Sequence, residues 1–345
     1  MSIGEIRVVP LAGREAEWDR FVKSASGSTF CHQGGWTRIL TDVMKAECEY
    51  LVAEDATGSW RGVLPLVHVR GLAGHYLVSM PFVDDGGPLG DESARVQLAT
   101  SALEIARAKG AKLLELRSRV EIGDPLRTST RKVSVQLELP GTIDELWSKT
   151  FKAKLRSQVK RPAKEGMYAR TGPSERDAFY AVFSRNMRDL GTPVLPRRFF
   201  EMQTELFGET SMFTAVYSKE GVPAAGSCCF IWRGEAYVTW ASSLREFNKL
   251  SPNMLLYGSM MERAIERGVT RFNFGRSTPD APTHKFKQQW GGVDVPLPWA
   301  TWSGNGDSAT PTPDKPIFRI ATSVWRRIPV PVANRIGPML ARQLP

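Results

Sequence analysis

The sequence predicts an α/β protein built from two similar units, each a mixed, mainly antiparallel sheet covered by helices. Three observations carry this. Residues 50–71, YLVAEDATGSWRGVLPLVHVRG, and residues 213–234, FTAVYSKEGVPAAGSCCFIWRG, each read as an apolar run, a polar turn with glycine, and a longer apolar run ending in Arg-Gly. That is the pattern of a β-hairpin. Residues 104–110 (EIARAKG) and 262–268 (ERAIERG) share E-x-A-x-x-x-G, with glycine where a helix stops. A strand-like run ending in Arg-Ser follows both times, LLELRS at 113–118 and RFNFGRS at 271–277. Gly71 precedes Gly234 by 163 residues and Gly110 precedes Gly268 by 158, nearly one offset, as a duplication would leave.

Length and composition fit this reading. The chain has 345 residues, too many for one ordinary core and suited to two domains. Hydrophobic residues make up 42% and charged residues 24%, a globular balance that excludes general disorder. The start, MSIGEIRVVPLAGREAEW, lacks a basic stretch followed by an apolar core, so no signal peptide is expected. No run of about eighteen apolar residues occurs, and the expected address is the cytoplasm, with the inner membrane face as a peripheral option.

The first unit is expected over 1–148 and the second over 149–302. At the join, LWSKTFKAKLRSQVKRPAKEG carries two stripes at four-residue spacing. Phe151, Leu155 and Val159 form an apolar one, and Lys152, Arg156, Lys160 and Lys164 a basic one. A helix shows both at once, and Pro162 predicts a kink or early stop. In the second unit Ser251 is the expected N-cap, Pro252 the first helical residue, and Leu256, Met260 and Ala264 the core face. From 303 to 345 the composition shifts to a polar, Pro-rich linker and a basic tail with Trp325 among arginines. Peripheral membrane contact through 317–345 and packing back onto the protein are both open readings of that tail.

Forty-six Lys and Arg against 36 acids give a net charge of +10, which favours anionic partners. Cys31, Cys48, Cys228 and Cys229 show no C-x-x-C spacing and read as reduced structural thiols. The adjacent pair should face opposite sides of a strand. The four histidines form no zinc pattern, so no metal is implied.

Phe274-Gly275-Arg276-Ser277, Phe286-Lys287 and Trp290-Gly291 together resemble the C-terminal signature of FemAB-like proteins, tandem members of the GNAT-type N-acyltransferase superfamily. HQGGW at 32–36, GVLPL at 62–66, SMPF at 79–82 and Gly86-Gly87 are similar to the family's first unit. The basic join helix, NMRDLGTP at 186–193 and PNMLLY at 252–257 are similar to the rest, so the likeness runs over about residues 5–300. It is nearest to the branch found beside exosortase (PEP-CTERM) and exopolysaccharide genes.

The resemblance implies two tandem GNAT-like domains and transfer of an acyl or aminoacyl group to an amine of a small-molecule or lipid-linked acceptor. The donor would be acyl-coenzyme A or aminoacyl-tRNA, with no tightly bound cofactor. The R/Q-x-x-G-x-G/A motif that holds coenzyme A in simple GNAT enzymes is missing; LREFNKLSPN stands in its place. Free N–H groups of the helix that follows would still attract a donor phosphate.

Acyl transfer needs a neutral amine, a stabilised oxyanion and a held leaving group. Lys287 is the expected fixed cation, and Arg276, at a strand end, the expected bidentate grip on the same anion. Asp85, with Asp84 beside it, is expected to orient the acceptor amine, or else both form a turn. Asn186, Arg188 and Asp189, then Asn253 and Tyr257 one helical turn apart, are expected to line the cleft with Ser277, Phe286 and Trp290. His32 is a base or contact, or else a packing histidine, and Trp36 shares its motif. Lys152, Lys154, Arg156 and Lys160 are the expected donor or anion contacts. The competing reading is a non-catalytic module of the same fold that holds RNA or an acidic polymer. Aromatic stacking platforms and glycine-basic signatures of RNA readers are not seen. Oligomeric state leaves no trace in the sequence.

Overall fold

The computed structural model describes residues 6–71, 74–304 and 322–344. They fall into two compact units. The first comprises Met1–Lys132, Pro296–Pro313 and Met339–Pro345, and the second Val133–Val295 with Asp314–Pro338.

The first unit holds strands β1 (Arg7–Pro10), β2 (Glu47–Glu54), β3 (Trp60–Gly71), β4 (Gly74–Val78), β5 (Leu89–Gly90), β6 (Leu113–Leu116), β7 (Arg127–Ser129) and β15 (Trp299–Ser303). Its sheet runs β1-β2-β3-β4-β6-β15-β7, with β5 on β3. Only β4 and β6 pair in parallel; their link is helix α2 (Glu92–Ala108). Asp91 caps α2, its carboxylate accepting from the Ala94 N–H at 3.0 Å. Leu98, Ala99, Ala102 and Ala106 turn one α2 face onto β2 and β3. Helix α1 (Glu15–Ser24) sends Trp18 against Tyr50, with ring centroids 4.8 Å apart.

The second unit holds β8 (Val133–Glu138), β9 (Tyr168–Thr171), β10 (Ser211–Tyr217), β11 (Pro223–Trp232), β12 (Glu235–Ser243), β13 (Arg271–Ser277) and β14 (Val293–Pro296). Its sheet runs β14-β8-β13-β12-β11-β10-β9, and here β12 and β13 are the parallel pair. The two strand orders match one for one, β9 to β13 repeating β1 to β4 and β6. The hairpin, helix and strand repeat read from the sequence is therefore a repeat of topology. Gly110 and Gly268, the helix stops, both have left-handed φ, 63° and 71°.

Both faces of the second sheet are covered. Helices α4 (Arg176–Leu190) and α5 (Arg197–Phe207) lie on one side, and α3 (Ala153–Lys164) and α6 (Pro252–Glu266) on the other. Cys228 meets Gln203 of α5 while Cys229 enters the core with α6, so the adjacent thiols do face opposite ways. The apolar stripe of the join helix is buried, and α3 ends two residues after Pro162, in whose last turn the proline sits.

Two expectations are corrected, and one of two open readings of the tail gains support. The expected boundary at 148/149 is not where the units divide. Val133–Glu138 joins the second sheet beside β13, and Trp299–Ser303 joins the first beside β6. In each case the inner strand of a parallel pair gains an antiparallel neighbour and stops being an edge. Ser251 does not cap α6 with its side chain; it takes a left-handed conformation (φ 56°, ψ 49°) and turns the chain into the helix. The tail from 322 folds back. Helix α8 (Val330–Ala341) follows Trp325, which is 8% exposed, so the residue that motivated membrane contact is buried. Residues 317–321 of the expected contact segment lie outside the described residues.

Candidate active site

Strands β12 and β13 of the second unit begin as partners and then part. They pair in parallel at Glu235↔Arg271, Ala236↔Phe272 and Tyr237↔Asn273 only. Yet β12 continues to Ser243 and β13 to Ser277. Each strand carries an irregularity just past the last pair. On β12 the partners of β11 skip from Val238 to Trp240, leaving Thr239 as a bulge, and its hydroxyl is buried without a hydrogen bond. On β13 the register against β8 slips between Asn273 and Arg276, and Gly275 there has φ 73°. Bulges of this kind bend a strand and raise its twist, which opens the pair.

Asn273 holds the point of divergence. Its side chain is fully buried and makes three bonds. Nδ2 donates to Glu235 of β12 at 2.7 Å, and Oδ1 accepts from the Ser134 hydroxyl of β8 at 2.7 Å and from the Gly275 N–H at 2.8 Å. One amide thus ties three strands. Sequence reasoning passed over Asn273, although it lies inside the FNFGRS motif.

The far ends of both strands are also held. At the end of β12, Asn186 of α4 donates to Ser242 at 3.1 Å and Asn253 of α6 donates to Ser243 at 3.0 Å. The two predicted asparagines therefore meet adjacent serines, one from each helix layer. At the end of β13, Lys287 reaches up from helix α7 (Pro282–Gln288). Its ammonium donates to the carbonyls of Gly275 at 2.9 Å and Arg276 at 2.8 Å. Lys287 is 9% exposed, whereas Arg276 is exposed. The structure joins these two residues through the main-chain carbonyl of Arg276. Ser277, next along, has a buried hydroxyl with no hydrogen bond.

Helix α7 is itself anchored by a residue the sequence reading missed. His284 Nδ1 accepts from the Asp280 N–H at 3.1 Å, so its proton sits on Nε2, which donates to Asp294 at 2.9 Å. Behind β13, Tyr257 stacks on Phe274 (5.6 Å between centroids) and meets Phe286 and Trp290 edge-on or tilted at 5.2 and 5.9 Å. Burial pushes the Tyr257 phenol well up, so it keeps its proton at neutral pH. Phe286 and Trp290 are thus packed into the core cluster around Tyr257.

Arg188 and Asp189 pair with each other at 2.7 Å, and Arg188 also donates to the Ile328 carbonyl at 3.0 Å, a tether for the tail. On α3, Lys152 and Lys154 are exposed, Lys160 stands 5.0 Å over the Trp147 ring, and Arg156 donates to the Phe151 carbonyl at 2.6 Å. The expected basic row is therefore split between internal contacts and solvent.

The predicted residues of the first unit are internal. His32 Nδ1 accepts from the Thr29 N–H at 3.1 Å, and Nε2 lies 2.9 Å from the Gly87 carbonyl, to which it donates. Burial lowers its pKa to about 4, so it is a neutral packing histidine rather than a base. Trp36 is buried and donates to the Phe30 carbonyl at 2.9 Å. Asp85 is buried against Arg119, with 2.7 and 2.9 Å contacts, and Asp84 beside it is half-buried. Neither the histidine nor Asp85 is presented to an acceptor, because each is consumed in holding the loop at Gly86-Gly87.

Residues 149–288 match the family described as an acetyltransferase (GNAT) domain. The chain has the tandem GNAT fold. Among solved structures it is similar to FemX, with a TM-score of 0.62 and 17% identity over 87% of this chain and 98% of that one. It is similar to L-PGS from Bacillus licheniformis (TM-score 0.57, 16% identity, 95% of this chain and all of that one). It also resembles a tandem GNAT protein from the clavulanic acid biosynthesis pathway (TM-score 0.56, 15% identity, 87% and 98% covered). At these identities the likeness is one of fold. No curated protein matches the sequence. The stretch that matches the GNAT domain spans the join helix, the diverging strands and all of α7, so Asn186, Asn253, Asn273 and Lys287 lie among the matched residues. Among the described residues no helix is long and apolar enough to cross a membrane.

Proposed function

We propose that the protein is an N-acyltransferase whose reaction centre lies where β12 and β13 part in the second unit. The single observation that carries this is a parallel pair that opens after three residues between two bulges, with each strand's end fixed by a side chain. An acyl thioester laid between the strands would find main-chain groups that no longer serve the ladder. N–H groups fixed before the reaction stabilise a developing oxyanion without reorganising. Lys287 fixes the carbonyls of Gly275 and Arg276 at the end of β13. Tyr257 supplies a neutral phenol on the same side of the sheet. The finer reading is an acyl-coenzyme A donor and an amine acceptor on a cell-envelope or exopolysaccharide precursor. Its support is the motif likeness across both units and the basic surface at Lys152 and Lys154.

Release of free thiol from acetyl-coenzyme A in the presence of an amine panel tests the reaction. Amine-dependent release is expected, and Lys287→Ala should lower it by about 10²–10³-fold while the protein stays folded by circular dichroism. Unchanged turnover in the folded variant would remove Lys287 from the site. Native mass spectrometry of the purified protein, scanning for retained coenzyme A, tRNA or lipid-linked sugar, tests the donor and acceptor. Retained RNA without any thiol release would favour the binding-module reading.

A further inference from the structure

A cavity of about 710 Å³ lies in the second unit on the outer side of α4, away from the sheet. Tyr180, Ala181, Ser184 and Arg185 recur at helical spacing and form one wall; Arg197 at the start of α5 and Val330 and Asn334 of α8 form the other. The hollow follows from residue size, since Ala181 and Ser184 are small where the walls face. It is held open because the α8 wall is pinned around it. Arg188 donates to the Ile328 carbonyl, Arg326 donates to the Leu190 carbonyl at 3.3 Å, and Gly337 lies so near Val194 that a Cβ would stand 3.0 Å from its main chain. The Tyr180 hydroxyl donates to the Leu195 carbonyl at 3.2 Å and fixes the loop that closes the far side.

Two guanidinium groups line this cavity, each with a carboxylate partner. Arg185 gives Glu246 two bonds, at 2.9 and 2.6 Å, out of the five N–H donors of a guanidinium. Arg197 stands 5.2 Å over the Tyr180 ring and meets Asp177 at 3.0 Å through one nitrogen. Both guanidinia stay about half exposed, at 40% and 49%.

We propose that this cavity binds a small organic anion. The ligand carries a carboxylate or phosphate for Arg185 and Arg197 and an apolar body for Tyr180, Ala181 and Val330. The size lies within the range of ligand pockets. Guanidinium groups suit carboxylate and phosphate because both accept two parallel bonds. The site uses the outer face of α4, whereas Asn186 on the inner face serves β12.

Calorimetric titration of the full chain tests it with three probes. N-acetyl-phenylalanine offers a carboxylate and an N–H, phenyl phosphate offers a phosphate without the N–H, and N-acetyl-phenylalaninamide lacks the charge. At least one anion should bind saturably, and whichever binds names the anion. If the carboxylate binds, its amide should bind about tenfold more weakly or worse. Arg197→Gln and Arg185→Gln should each weaken the bound anion by about tenfold. Lys219→Gln, an exposed lysine between β10 and β11, should change nothing. The proposal fails if neither anion binds by about 10 mM. It also fails if charge makes no difference, or if the arginine variants, folded by circular dichroism, bind as the parent does.

Discussion

The two units build the same strand order and finish it differently. In the first, β4 and β6 pair at Tyr76↔Leu113, Leu77↔Leu114 and Val78↔Glu115, and the pairing then continues through a side chain. The Ser79 N–H donates to the Glu115 carbonyl at 2.9 Å, and its hydroxyl accepts from the Arg117 N–H at 2.7 Å. In the second, the equivalent strands part. Glu115 and Asn273 hold the same place in their pairs, and the Arg-Ser of each half follows. Gly275 is the one residue extra. Without it, Arg117 turns inward, is 6% exposed, binds Glu115 and the carbonyls of Met80 and Val83, and lies 5.0 Å over the Trp299 ring. With it, Arg276 stays outside and Lys287 takes over the carbonyls. One half has closed its strand ends with its own polar groups, and the other has kept them apart. It is the second half that matches the acetyltransferase family.

The contrast can be broken most forcefully at Glu115. Replacing it with Ala strands the buried Arg117 charge, and denaturant unfolding should show a loss of about 3–5 kcal/mol. Asn273→Ala, its counterpart, removes three bonds from a buried site. It should cost about 3 kcal/mol and also lower thiol release from acetyl-coenzyme A, since the divergence loses its anchor. Glu115→Ala should instead leave the turnover of the remaining folded protein intact.

The third lever is pH. His32 is neutral in the fold, with a pKa of about 4 against an ordinary value of 6.5. Between those values the unfolded chain binds the proton and the folded one does not, so stability falls as pH drops through that window. The loss should reach about 3 kcal/mol, read from unfolding midpoints at successive pH values, and His32→Gln should flatten the slope. Arg276→Ala should have the smallest effect, within about 0.5 kcal/mol of the parent in the same unfolding assay, because an exposed arginine has little packing to lose. A large loss there would mean the two Arg-Ser pairs are not opposites after all.

Much of the fold was legible because repetition is a one-dimensional signal. The hairpins at Gly71 and Gly234 and the helix stops at Gly110 and Gly268 show in the chain itself. What stayed hidden was exchange between distant segments. Nothing local in Val133–Glu138 distinguishes a strand of one sheet from a strand of the other, since only the available edge decides. Asn186, Asn253 and Lys287 stand out in the sequence as polar residues, but the partners the structure gives them do not. An asparagine that binds a serine and one that binds a substrate look alike in sequence. Asn273 could have been suspected, because a polar residue between Phe272 and Phe274 in a buried strand must have bonds to make. His32 and Asp85 misled for the converse reason, since polar residues beside glycines also serve to hold a tight loop.

The exchange of strands carries an implication for synthesis. The last inner strand of the first sheet, Trp299–Ser303, is translated after every strand of the second. On the ribosome the downstream half therefore has its full set of strands first. The upstream half must wait with β6 uncovered on one side until the chain has grown past residue 303. A nascent chain arrested before that point would carry a finished second sheet and an open, adhesive first one.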